Sequence, residues 1–130
     1  MKKEKGMSLE ACVERAQEYI TEQGACLLIF DVKNSRAHDD LNALYKTVDA
    51  FRADVNKTFK AYLPKNVLST LVREETGFEM RWGDASWAAI NNPQVILDII
   101  AYQKKEYPLL ELHWAIAKDG FDPAADTILS

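Results

Sequence analysis

Little in this chain cross-links or punctuates it. Two cysteines, four prolines and five glycines in 130 residues are too few for a disulfide framework, and no Pro- or Gly-rich linker, low-complexity tract or internal repeat is present. Cys12 and Cys26 each fall in an apolar run of expected buried structure, so they resemble neither half of a zinc pair, and a reducing, cytoplasmic setting is expected. The two histidines, His38 and His113, have no Cys or nucleophilic Ser at a triad-like spacing, which argues against hydrolytic chemistry. Basic charge is also short: sixteen Lys and Arg stand against twenty Asp and Glu, for a net charge of −4. That balance disfavours a nucleic-acid surface, and the basic, aromatic sheet signature of RNA-binding domains is missing. The longest uncharged apolar run, residues 25–30, is far below the ~20 residues a membrane helix needs. No continuous apolar run follows Met1-Lys2-Lys3-Glu4-Lys5, as an export signal would require. A protein outside the membrane is expected.

What is present is core. Nearly half of the residues (48%) are apolar, enough for one domain to fold without staples. Ser8 can cap a helix on which Leu9, Cys12, Val13, Ala16 and Ile20 share a face, and Gly24 ends it; residues 1–24 form this N-terminal amphipathic unit. The run Ala25-Cys26-Leu27-Leu28-Ile29-Phe30 is apolar on both faces and predicts a central strand that ends at Asp31. After a polar loop to His38, Asp39 or Asp40 caps a long helix whose face Leu44, Tyr45, Val48, Phe51, Val55, Phe59, Tyr62 and Leu63 persists until Pro64. Residues 67–75 fit one or two helical turns. Gly83-Asp84 between two aromatic-rich runs predicts a β-hairpin with an acidic tip. Asn92-Pro93 starts another helix, buried through Val95, Ile96, Ile99, Ile100 and Tyr102. Residues 109–117 alternate as a last strand, and a turn-like tail follows, residues 122–130.

The expected class is α+β. Its strand and helix order is the ferredoxin-like βαββαβ arrangement over residues 25–121: a four-stranded antiparallel sheet, helices on one face, plus the extra N-terminal helix. That topology brings Asp31, ending the first strand, and Asp84, at the hairpin tip, to one edge of the sheet. Two carboxylates there suit a hard cation such as magnesium or manganese, which takes oxygen ligands and shares them with substrate phosphates.

Phe30-Asp31-Val32-Lys33-Asn34-Ser35-Arg36 resembles the first metal-binding segment of class III nucleotide (adenylate and guanylate) cyclases, an Asp followed by a short phosphate loop. Arg81-Trp82-Gly83-Asp84-Ala85 resembles their second, a hairpin with Gly-Asp at its tip, and Leu112-His113-Trp114-Ala115-Ile116-Ala117 stands where they have their next core strand. The GGDEF-type palm is the second resemblance, with one Gly missing and Ala85-Ser86 in place of Glu-Phe. The cyclase resemblance implies that Asp31 and Asp84 bind the metal. It also implies that Val32, Lys33, Asn34, Ser35 and Arg36 hold the phosphates of a purine nucleotide, by backbone N–H groups and the two cationic side chains.

The departures shape the expected function. Met80, beside Arg81, stands where the family carries a Lys or Glu that reads the purine edge, and a thioether donates no hydrogen bond. Residues after the last expected strand hold no equivalent of the Asn and Arg with which cyclases stabilise the transition state across a dimer, a loss worth a hundred- to a thousandfold in rate, roughly. The expectation is therefore a divergent domain that binds a nucleoside triphosphate with a divalent metal and has weak or absent cyclase activity. The alternative is a non-catalytic regulatory or dimerisation module on the same fold, acting as a homodimer, with Trp82, Trp87 and Trp114 as an aromatic surface if they share the face without helices.

Overall fold

A computed structural model describes residues 6–33, 39–63, 77–82, 85–118 and 126–128, the backbone alone in 79–82 and 126–128. Helix α1 (Leu9–Gln23) begins where the Ser8 hydroxyl accepts from the Ala11 N–H at 3.1 Å and ends at Gly24 in the left-handed region, φ 94°. Strand β1 (Cys26–Val32) follows. Helix α2 (Leu41–Thr58) is capped by Asp40, whose carboxylate accepts from Ala43 N. It ends earlier than the expected stop at Pro64, because the chain tightens into a 3₁₀ turn at Lys60–Tyr62 that gives the last carbonyls nearer donors. Tyr45, on the expected buried face, is 37% exposed. Strands β2 (Glu79–Trp82) and β3 (Ala85–Ile90) form the expected hairpin, with Trp82 opposite Ala85 and a register shift between Met80 and Trp82. Helix α3 (Pro93–Glu106) opens on Asn92 and Pro93, and strands β4 (Leu112–Ala117) and β5 (Asp126–Ile128) complete the elements. The possible turns at 67–75 and the turn after residue 118 lie outside the described residues.

The architecture is α+β. Every pairing in the sheet is antiparallel, and its order is β2-β3-β1-β4-β5. Among the described residues the expected four strands are corrected to five: Asp126–Ile128, in the tail, pairs with β4 along its outer edge. Three residues of mixed polarity carry no strand periodicity; only the open ladder of β4 makes them a strand. Leu109 and Leu110, expected in the last strand, form the turn before β4 instead, and Leu109 is 90% exposed.

All three helices share one face. Cys26, Leu28, Phe30 and Val32 of β1, Ala88 and Ile90 of β3, and Leu112, Trp114 and Ile116 of β4 form one core with Cys12, Ala16, Val48, Phe51, Val55, Ile96, Ile99 and Ile100. The alternate residues Leu27, Ile29, Trp87 and Ala117 make a smaller cluster on the other face. Trp114 and Trp87 are therefore on opposite faces and make no common aromatic patch, and the Trp82 side chain lies outside the described residues. Among the described residues no helix is long and apolar enough to cross a membrane.

Two polar features tie α2 to its neighbours. Asn56 in α2 accepts from Phe78 N at 2.6 Å and donates to Phe78 O at 3.2 Å, acting as a strand partner for the entry to β2. Gly77 beside it has φ +81°, and a Cβ there would stand 2.4 Å from Asn56 Oδ1. The Tyr107 hydroxyl donates to the Asp54 carboxylate, joining the end of α3 to α2. That hydrogen bond first, and burial second, push the Tyr107 phenol up from 10 to about 12.

Gly77→Ala combines a left-handed backbone with a side-chain clash and is expected to cost roughly 2 kcal/mol or more in urea unfolding. The fold holds Tyr107 neutral, so this contribution is complete below pH 10, the unfolded value, and is lost as pH rises from 10 to about 12. Alkaline unfolding curves should fall across that window in the wild type and less steeply in Tyr107→Phe.

Candidate functional site

Strand direction gathers one end of the molecule. The end of β1, the β2–β3 connection, the start of α2, the last turn of α3 and the start of β4 all lie at the same end of the sheet, because neighbouring strands are antiparallel and each helix returns the chain. Asp31 is there, but it does not end the strand. β1 continues through Val32, with Asp31 opposite His113 and Val32 opposite Leu112. The expected boundary fell one residue early because a carboxylate is a poor end marker when the ladder with β4 still continues.

Alternation fixes where Asp31 projects. Phe30 and Val32 are in the helix-side core, so Asp31 lies on the face opposite the described helices, in line with Leu27 and Ile29. It is half-buried, and His113 across from it is exposed on the same face, with Ala115 and Ala117. Directly opposed residues in an antiparallel pair have Cβ atoms ~5 Å apart, within reach of a side-chain interaction.

The expected phosphate segment divides. Val32 is 5% exposed with its side chain in the core. The Lys33 N–H donates to Glu111 O at 2.8 Å, so its backbone extends the ladder, and what it offers a ligand is its ammonium. Asn34, Ser35, Arg36 and Asp84 lie outside the described residues, as does His38, and for Met80 and Arg81 the backbone alone is described, in β2. Phe30 opposes Ser86 across β1 and β3. Ser86 is fully buried on the helix side, in line with Ala88 and Ile90, and its hydroxyl has no hydrogen-bond partner among the described residues. It belongs to the core side and adds nothing to the face that carries Asp31.

Next to Lys33 is a feature that sequence reasoning missed. Lys33, Gln103, Lys104, Pro108, Leu110, Glu111 and Leu112 line an open cleft of about 360 Å³ between the end of β1 and the last turn of α3. Its floor is Gln103, 3% exposed, which donates to Tyr107 O at 2.9 Å and Leu110 O at 2.8 Å and so closes the turn from α3 into β4. The signal was available: Gln103 follows Ile99 by four and Ile100 by three, on the buried face of the helix.

No protein-family model matches the chain, and no curated protein or solved structure does.

The cross-strand geometry makes a measurable prediction. His113→Glu sets a carboxylate directly across from Asp31 and is expected to lower stability by about 0.5–1 kcal/mol. The cost should shrink in an Asp31→Asn background, measured as a double-mutant cycle by urea unfolding.

Proposed function

We propose that this chain is a ferredoxin-like palm of the nucleotide-cyclase type that binds a nucleoside triphosphate with a divalent cation through Asp31 and Asp84, without efficient cyclisation. The four strands β2-β3-β1-β4, with α2 and α3 as connections, follow the order of that topology, β5 being an addition at one edge. The observation that carries the reading is the register of β1 on β3. Phe30 opposes Ser86 near the start of β3, so the end of β1 that carries Asp31 lies beside the start of the strand that Asp84 immediately precedes in sequence.

The donor set suits magnesium or manganese carried with its phosphates. Among the described residues no group of three or more His, Cys, Asp or Glu side chains could cage a metal, and a magnesium ion held by one or two carboxylates completes its octahedron with phosphate oxygens and water. When bound, the ion offsets the charge of the phosphates. The chain's own part is to present Asp31 on the face opposite the described helices and to keep the Lys33 ammonium two residues away.

Thermal unfolding with ATP or GTP tests this directly. With magnesium and ligand a hundredfold above Kd, stabilisation of about 2.7 kcal/mol is expected, a rise in Tm of several degrees. The rise should vanish without the metal and in Asp31→Asn. No shift with either nucleotide, in magnesium or manganese, overturns the proposal.

A further inference from the structure

The cleft beside the sheet end carries more positive charge than its structural duties explain. Lys33 and Lys104 both line it, and among the described residues neither makes an ion pair, although Glu111 lines the same cleft. Lys104 in the last turn of α3 complements the helix dipole, an ordinary role. That role does not extend to Lys33, which arrives from a different element on the other wall. The backbone acceptors around the cleft are already engaged: Gln103 donates to the Tyr107 and Leu110 carbonyls, the Tyr107 N–H closes on Gln103 O, and the Lys33 N–H on Glu111 O. With the Glu111 carboxylate in the same cleft, the two ammonium groups still leave it net positive, and a multivalent anion offsets that charge.

We propose that this cleft is a polyphosphate subsite, in which Lys33 and Lys104 bind the terminal phosphates of the ligand. The subsite rests on the nucleotide reading above only for the source of those phosphates; its chemistry, a polyphosphate chain between two ammonium groups, comes equally from a nucleotide or from free polyphosphate. Lys33 follows Asp31 by two residues, so a metal held at the carboxylate and a phosphate tail in the cleft lie on adjacent stretches of one strand end. A flexible lysine serves here as a point charge, without the two-pronged geometry an arginine would impose.

Isothermal titration calorimetry of the full chain with sodium tripolyphosphate and, separately, with magnesium ATP tests the subsite. The proteins are wild type, Lys33→Gln, Lys104→Gln and, as a charge-matched control, Lys57→Gln, each checked for folding by circular dichroism. Loss of one charge-assisted contact should weaken tripolyphosphate about tenfold in either cleft variant and less than twofold in Lys57→Gln. Equal weakening in Lys57→Gln, or no binding of tripolyphosphate, overturns the subsite. If magnesium ATP binds all four proteins alike, the subsite falls while the nucleotide reading stands. If tripolyphosphate binds in a Lys104-dependent way and magnesium ATP does not bind, the subsite stands with free polyphosphate as its ligand, and the nucleotide reading falls.

Discussion

Phe30 is the residue on which the rest of this structure depends. It is fully buried in the central strand and meets three rings from three elements: Phe51 of α2 at 5.5 Å, Phe78 at the entry to β2 at 5.2 Å and Trp114 of β4 at 5.4 Å between centroids. Burying such a side chain contributes roughly 2–3 kcal/mol, and each tilted aromatic pair adds roughly 0.5–1.5 kcal/mol. Position matters beyond the sum. A shift of one residue in β1 would carry Phe30 out of this cluster and put Asp31 into it, so the register is held by a large penalty on both residues.

The same constraint makes the candidate site. With Phe30 anchored toward the helices, Asp31 has only the opposite face, and His113 is the residue that register sets across from it. Lys33, two positions on, reaches the end of the ladder where α3 finishes, and the cleft with Lys104 and Gln103 exists because Gln103 turns the chain sharply into β4. A half-buried carboxylate on the face opposite the described helices and a cationic cleft at the sheet end are thus products of packing on the far side of the sheet. The antiparallel topology then collects them at one end, with the β2–β3 connection and the start of α2.

Legibility in the sequence followed the range of each interaction. The caps at Ser8, Gly24, Asp40 and Asn92 were readable because a cap bonds a backbone N–H or carbonyl only a few residues away. The hairpin was readable for the same reason, and so were the buried faces of all three helices, which repeat within a turn. The end of β1 was less so, since Asp31 and Val32 are held as strand by Leu112 and His113, about eighty positions along the chain. β5 was unreadable, because its three residues become a strand only by meeting the free edge of β4. Gln103 is polar and buried, and its spacing from Ile99 and Ile100 places it on the buried face.

The sequence by itself therefore determined the helices, their caps, the hairpin and the apolar central strand, all of which rest on local bonding and on periodicity. It also placed two acids, Asp31 and Asp84, in segments whose order could bring them together. Tertiary structure alone decided that Asp31 stays inside the ladder opposite His113, that Trp87 and Trp114 take opposite faces, that a fifth strand closes the β4 edge, and that Lys33 and Lys104 share a cleft. These outcomes depend on which residues meet across long stretches of chain. No short-range preference encodes such meetings; the packing around Phe30 and the antiparallel ladder settle them.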